Sequence, residues 1–151
     1  MKIGTYEIQV PFVPTSTHHL KAIADLAQVK PGQNVIDLGS GNGRVLIEFA
    51  RLGAQCIGYE MKEALVEESR ARIAELGLSE KITIKRENFW EADVAESDII
   101  YIYGMQSVLL KVERKLEKEL RPGTKVISNI FTFPTWRPKK IKDSVYLYIK
   151  H

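Results

Sequence analysis

A single cysteine, Cys56, stands in 151 residues, so no internal disulfide can staple the fold, and stability must come from a packed core. No apolar run is long enough to span a bilayer. The N-terminus lacks the uninterrupted apolar stretch of a signal peptide, because Glu7 and Gln9 interrupt residues 1–10. Positive charge is thin as well: 22 Lys and Arg against 19 Asp and Glu leave a formal net charge of +3. A pI of about 8.9 is mildly basic, far from the dense basic stripe of a dedicated nucleic-acid binder. His18 and His19 are adjacent on a helix and face different ways, and with one cysteine there is no spacing for a metal site. These absences leave a soluble intracellular protein, cytoplasmic by default. A chain of this length folds as one domain (residues 1–151) with a real core, burying about 68–70% of its unfolded surface.

Against that background one segment stands out, Val35 to Glu48, which reads VIDLGSGNGRVLIE. An apolar strand, Asn34 to Leu38, runs into Gly39-Ser40-Gly41-Asn42-Gly43, and an amphipathic helix follows at once. Glycines let backbone turn tightly and approach a ligand closely, and the helix start presents unpaired N–H groups. This is a nucleotide-type cofactor loop. Its glycine spacing departs from the dinucleotide fingerprint G-x-G-x-x-G. The residues after Gly43 are Arg44-Val45 rather than the Lys-Ser/Thr of a phosphate-binding loop. The form D-x-G-x-G-x-G, with Asp37 two residues before Gly39, resembles motif I of class I S-adenosylmethionine (SAM) methyltransferases. In those enzymes the acid helps hold the methionine amino group while the glycines pass under the cofactor.

Two further strand ends complete the expected cofactor set. Cys56 to Tyr59 is an apolar strand closing on Glu60, at the distance where a Rossmann-type βαβ unit carries its ribose-binding carboxylate. Ile82 to Arg86 closes on Glu87-Asn88-Phe89-Trp90. An amide oxygen at Asn88 can accept from an adenine amino group, and Phe89 can cover the ring face.

Strands alternate with helices through most of the chain, which predicts an α/β sheet. After an extended lead (residues 1–14), Thr15 or Thr17 is expected to cap a helix running to about Val29, which Pro31-Gly32 stops. Further helices are expected over Arg44 to Leu52, Lys62 to Leu76 and Gln106 to Leu120. The connector Glu91 to Ser97 is too short for a crossover helix. On the last helix Val108, Leu109, Val112, Leu116 and Leu120 form the apolar stripe; its charges, Glu113 and Lys115 among them, read as a solvated face. Strands are expected at Asp98 to Tyr103 and Lys125 to Ile130. Lys139 to His151 reads as a hairpin turning at Asp143-Ser144, its Lys139, Lys140 and Lys142 a solvated edge that discourages strand addition.

Three local features sharpen the resemblance. They are Pro11-Phe12-Val13-Pro14-Thr15, the run Leu116 to Ser128, and Phe133-Pro134-Thr135-Trp136. Together with motif I and Gly58-Tyr59-Glu60, they look like the small protein-lysine N-methyltransferases. That branch includes archaeal broad-specificity enzymes and mitochondrial enzymes modifying the adenine nucleotide translocase and the membrane-ring protein of ATP synthase. The resemblance implies a Rossmann-like class I methyltransferase fold. That fold is a mostly parallel twisted sheet of about seven strands with an antiparallel C-terminal strand, helices on both faces and few insertions. It implies SAM as cofactor, S-adenosylhomocysteine as product and no metal. Cofactor contacts carry over to Asp37, Gly39, Gly41, Glu60 and Asn88, with Pro14 and Thr15 in a lid; Ser40, Gly43 and Phe89 join them as candidates from their place in the loop and at the strand end. Asn42 departs from a position often acidic in this branch.

Methyl transfer from a sulfonium needs an aligned, neutral nucleophile. A lysine amine must first lose its proton, which an apolar channel beside a cation favours, and aromatic walls can hold the ammonium form as it enters. Tyr103, Trp136 and Phe133 are the candidates for that channel. The end of the fourth strand reads Ile102-Tyr103-Gly104-Met105, without the Asn/Asp-Pro-Pro-Tyr of enzymes that methylate planar nitrogens. The sequence therefore predicts a SAM-dependent methyltransferase acting on exposed lysines of protein substrates, with no stable nucleic-acid partner and no membrane span. An RNA or small-molecule methyltransferase of the same fold, or a SAM-binding module without catalysis, are the competing readings.

Overall fold

A computed structural model describes residues 2–3, 6–7 and 13–151. Most of the expected N-terminal lid, including Pro11-Phe12, lies outside them. Two short strands, β1 (Lys2–Ile3) and β2 (Tyr6–Glu7), pair antiparallel with each other. Everything else is organised by one seven-stranded sheet.

Its strands are β3 (Asn34–Leu38), β4 (Gln55–Tyr59), β5 (Ile82–Lys85), β6 (Ile99–Ile102), β7 (Lys125–Asn129), β8 (Lys140–Lys142) and β9 (Val145–Ile149). They lie in the order β5-β4-β3-β6-β7-β9-β8. The first five run parallel, and β9 is antiparallel to both of its neighbours. The chain lays down β3, β4 and β5 outward in one direction, then returns to place β6 on the other side of β3. The strand order therefore reverses between β3 and β6, and in open α/β sheets ligands bind beyond the carboxyl ends of the strands at such a point.

Strand residues alternate between two cores. Val35, Cys56, Ile99 and Tyr101 face the helices α1 (Thr17–Ala27), α2 (Arg44–Arg51) and α3 (Glu63–Glu75). Ile36, Leu38, Ile100, Ile102 and Val126 face α4 (Gln106–Glu119). One helix cannot cover that second face. The remainder is closed by the connector after β5, with Phe89, Ala92 and Val94, and by the segment after β7, with Phe133 and Trp136. The connector forms only a 3-10 turn at Phe89–Glu91, in keeping with its length.

Two expectations need correction. The first helix is capped by Ser16, whose Oγ accepts from the His19 N–H at 3.1 Å. Thr15 and Thr17 are engaged elsewhere, with Tyr101 and Arg44. The charges of α4 are not uniformly solvated. Glu113 is 4% exposed, and Lys115 reaches the Ala92 carbonyl at 2.9 Å, tying the connector to the helix.

At the hairpin, Asp143 and Ser144 both adopt positive φ, 50° and 60°, matching the twist of the strands they join. The edge strand β8 is exposed throughout, with Lys142 paired to Asp25 of α1.

Candidate cofactor cavity and acceptor channel

A cavity of about 780 Å³ opens beyond the carboxyl ends of β3, β4, β5 and β6, within the size range of ligand pockets. Its floor is the loop after β3. Gly39, Gly41 and Gly43 take φ of 105°, 55° and 81°, a region L-residues with a Cβ rarely enter. The loop is tied to its neighbour strand, since the N–H groups of Gly39 and Ser40 both donate to the Tyr59 carbonyl, at 3.0 and 2.9 Å. Close approach here depends on Gly58. A Cβ at Gly58 would lie 2.6 Å from the Ser40 Cβ and 2.7 Å from Leu46 Cδ1.

Asp37, the next-to-last residue of β3, lines this cavity and is 1% exposed. Its Oδ1 has no hydrogen-bond partner, and neither has the buried Oγ of Ser40. Burial, and then the charge of Glu60, push the Asp37 pKa well above the usual carboxylate value. A buried carboxylate oxygen without a donor costs free energy unless a ligand supplies one. An ammonium group is the ligand chemistry that fits.

Glu60 follows β4 and is already organised. Oε1 accepts from the Gly41 N–H and Oε2 from the Lys62 N–H, each at 2.9 Å. Each carboxylate oxygen retains a lone pair for a further donor, so paired hydroxyls can bind without displacing the backbone. Beyond β5, Asn88 Oδ1 accepts from the Trp90 N–H at 3.1 Å. Phe89 is buried, edge-on to Trp90, with ring centroids 4.6 Å apart. Both line the cavity.

Thr15, Asp37, Gly39, Ser40, Gly41, Glu60, Asn88, Phe89 and Tyr103 thus come together around one space, and four expected residues do not. Gly43 sits behind the loop as the N-cap of α2, where a Cβ would lie 3.1 Å from the Ser69 Cβ. Its role is helix packing. Pro14 is exposed, while Val13 and Thr15 on either side of it line the cavity. Trp136 packs on the α4 face against Phe133 and Tyr148, and its indole N–H donates to Glu117 at 2.9 Å. Phe133 is buried beside it. The walls at the β6 and β7 end fall instead to Tyr103, Gly104, Met105 and Phe131.

Tyr101 is a site residue that the sequence reading does not single out. It is the Cα partner of Asp37 across the β3–β6 ladder and is 1% exposed. Its hydroxyl accepts from Asn129 Nδ2 at 3.2 Å and lies 3.4 Å from Thr15 Oγ1. Burial raises its pKa, with the Asp37 charge adding to the effect. A hydroxyl-bearing residue inside the apolar run Ile99-Ile100-Tyr101-Ile102 is the available signal, since such a group must find partners. Arg44 is a second such residue. It lines the cavity and donates to Thr17 Oγ1 at 2.9 Å, joining α1 to the start of α2.

Known proteins share this fold. A family model described as the ANTKMT methyltransferase domain matches residues 37–140. A protein-lysine N-methyltransferase of Saccharolobus islandicus is 33% identical over 96% of both chains. The adenine nucleotide translocase lysine N-methyltransferase of Mus musculus is 31% identical over 95% of this chain, which spans 65% of that relative. Among solved structures, an RNA methyltransferase from Salinibacter ruber in complex with S-adenosylhomocysteine superposes with a TM-score of 0.87. It is 32% identical, over 91% of this chain and 93% of its own. With that sheet order, that loop and these relatives, the chain belongs to the ANTKMT methyltransferase domain family, and so to the class I SAM-dependent methyltransferases.

Proposed function

We propose that the cavity binds SAM and that the protein transfers its methyl group to lysine side-chain amines of protein substrates. The observation that carries this reading is one cavity lined by two chemically different sets of groups. A buried acceptor without a donor, Asp37, lies on β3, and beyond the strands β6 and β7 on one side of it stand the uncharged, partly aromatic walls Tyr103, Met105 and Phe131. When bound, SAM supplies an electrophilic methyl on a cationic sulfonium. Asp37 accepts from its ammonium group, Glu60 from its ribose hydroxyls, and Asn88 and Phe89 hold the adenine. Thr15, fastened to Tyr101, closes the lid side over the methionine end.

At the β6 and β7 side, apolar walls disfavour the charged form of an entering amine, and aromatic faces attract it while it is still an ammonium. Among the described residues the carboxylates lining the cavity are Asp37, Glu60, Glu63 and Glu87, none of them on β6 or β7. Deprotonation is therefore left to desolvation and solvent, with positioning supplying the rate. Residues 1–151 act as one domain, and a single buried thiol fits a reducing, cytoplasmic setting. The full-length similarity to the Saccharolobus enzyme supports a protein acceptor.

A second reading, methylation of RNA, is favoured by the name of the Salinibacter relative. Against it, among the described residues the cavity lining carries Arg44, Lys62 and Arg86 alongside Glu60, Glu63 and Glu87, where a nucleic-acid track would be dominated by cations. The deciding experiment incubates the protein with methyl-labelled SAM and a cell lysate, then treats the products with protease or nuclease. Label on lysine that protease releases, absent with Glu60→Ala, is the expected result. Nuclease-sensitive label would replace the lysine reading with RNA or DNA modification.

A further inference from the structure

The segment between β7 and β8 carries more fastenings than a connecting loop needs. Ser128 Oγ donates to the Phe131 carbonyl, and the Phe131 N–H donates to the Asn129 carbonyl at 2.9 Å. Gln106 Nε2 donates to the Thr132 carbonyl at 2.7 Å, and the Phe133 N–H to the Tyr148 hydroxyl at 3.1 Å. The far end is held by one side chain. Glu113 Oε2 accepts from the N–H groups of Thr135 and Trp136, both at 3.0 Å, and Oε1 accepts from the Thr135 hydroxyl. Trp136 is also fastened to Glu117.

Glu113 is an acid in the middle of the apolar face of α4, four residues after Leu109 and three before Leu116, and is 4% exposed. A buried carboxylate is tolerated when hydrogen bonds satisfy it, and three donors from one segment do so here. What the segment delivers is Phe131. That residue lines the cavity, two positions beyond the end of β7, on the side of Tyr103 and Met105. The residue before it, Ile130, sits at φ 71°, a conformation costly for a β-branched side chain and one the surrounding bonds must hold.

We propose that Glu113 is a positioning residue for the methyl-acceptor channel: by anchoring Thr135 and Trp136 it holds the 130–136 strap taut, and so fixes Phe131 as a channel wall alongside Tyr103. The inference rests on the cavity being a SAM site. It assigns to a buried carboxylate on the far face of the sheet a role in accepting substrate rather than cofactor, because Asp37, Glu60 and Asn88 lie at the ends of β3, β4 and β5 while the strap follows β7.

Two ligands separate these halves without knowledge of the natural acceptor. S-adenosylhomocysteine fills only the cofactor half. An analogue with nitrogen in place of sulfur, bearing an aminopropyl arm, also extends an ammonium into the channel. Calorimetry on the wild type should show tighter binding of the amine-bearing analogue, by about five- to tenfold for a cation between aromatic walls. Glu113→Ala should bind S-adenosylhomocysteine as the wild type does and lose that advantage; Glu113→Gln, which keeps one acceptor, should lose only part of it. Phe131→Ala should lose the advantage with the strap intact. In a Trp90→Phe background, Trp136 emission should shift to the red in Glu113→Ala and stay unchanged in Phe131→Ala. If Glu113→Ala fails to fold, it will bind neither ligand, and the Gln and Phe131 variants decide. Equal binding of the two ligands by the wild type, or an advantage that survives in Phe131→Ala or in folded Glu113→Ala, overturns the proposal. If neither ligand binds the wild type, the failure lies in the SAM reading instead.

Discussion

The Gly41 N–H donates to Glu60 Oε1 at 2.9 Å, joining the middle of the glycine loop to the acid that ends the neighbouring strand. Loop shape and, in the proposed SAM complex, ribose recognition therefore depend on the same carboxylate. Glu60→Ala removes the ligand's hydroxyl acceptors and leaves the Gly41 and Lys62 N–H groups unpaired by it. S-adenosylhomocysteine affinity should fall about ten- to a hundredfold, the loss expected for charge-assisted hydrogen bonds. Titration calorimetry reads this directly. An unchanged dissociation constant would remove Glu60 from the site.

Asp37 should show a trade between stability and binding. Its carboxyl is buried with one oxygen unpartnered and its pKa raised by desolvation and by Glu60. The free protein's folded form holds this proton more tightly than the unfolded chain does. Its contribution to stability is complete below the ordinary value of 3.8 and is lost as pH rises through the elevated folded value. Asp37→Asn should flatten that dependence. It should also stabilise the free protein near neutral pH by on the order of 1–3 kcal/mol, while weakening S-adenosylhomocysteine binding at least about tenfold. Thermal melts with and without ligand test both signs at once, and a variant no more stable than wild type would count against a buried charge.

The same raised pKa predicts proton release. Where Asp37 is protonated in the free protein, a ligand ammonium favours its charged form, so binding should expel a proton. Calorimetry in buffers of different ionisation enthalpy measures that proton. Its absence in Asp37→Asn would assign it, and its persistence there would point to another group.

Gly58 lies beneath the loop rather than in it. An added methyl would meet Ser40 and Leu46 well inside van der Waals contact. Gly58→Ala should cost about 1–3 kcal/mol as an overpacked core position and weaken cofactor binding by displacing Ser40. Denaturant unfolding gives the first quantity and calorimetry the second. A fully stable, tight-binding Ala variant would show that the loop yields easily.

Cys56 should be inert. Burial, with the Asp37 charge adding to it, pushes its thiol up to about 12, and the S–H points at the Leu46 carbonyl at 3.7 Å. Thiolate is the reactive form, so a thiol reagent should modify the native protein only through unfolding and react promptly in denaturant. Rapid modification of the native state would contradict the buried placement.

Much of the site is legible in the sequence because it is local. Asp37, the glycine loop and the start of α2 lie within eight consecutive residues, where turn chemistry and helix initiation act between near neighbours. Glu60 and Asn88 are readable for a related reason, since a parallel α/β sheet brings its strand ends to one edge whatever the details of packing. Glu113 escapes such a reading because its charge outweighs its place on the apolar stripe of α4. Spacing puts it among the buried residues, and only the donors of Thr135 and Trp136, more than twenty residues away, explain how a carboxylate can stay there.

The sequence alone determined the alternation of strands and helices, the glycine loop and the acids that come to line the cavity at β3 and β4, because short-range periodicity and backbone sterics specify them. Tertiary structure decided which aromatics face the ligand and which face the core. Trp136 and Phe133 were drawn to α4 by Glu113, Glu117 and Tyr148, while Phe131 and Tyr103 were left at the cavity. Side chains only two or three residues apart on an irregular strap carry no period from which to predict their direction. Each goes where long-range partners satisfy its backbone and its polar atoms, and those partners exist only once the sheet has assembled.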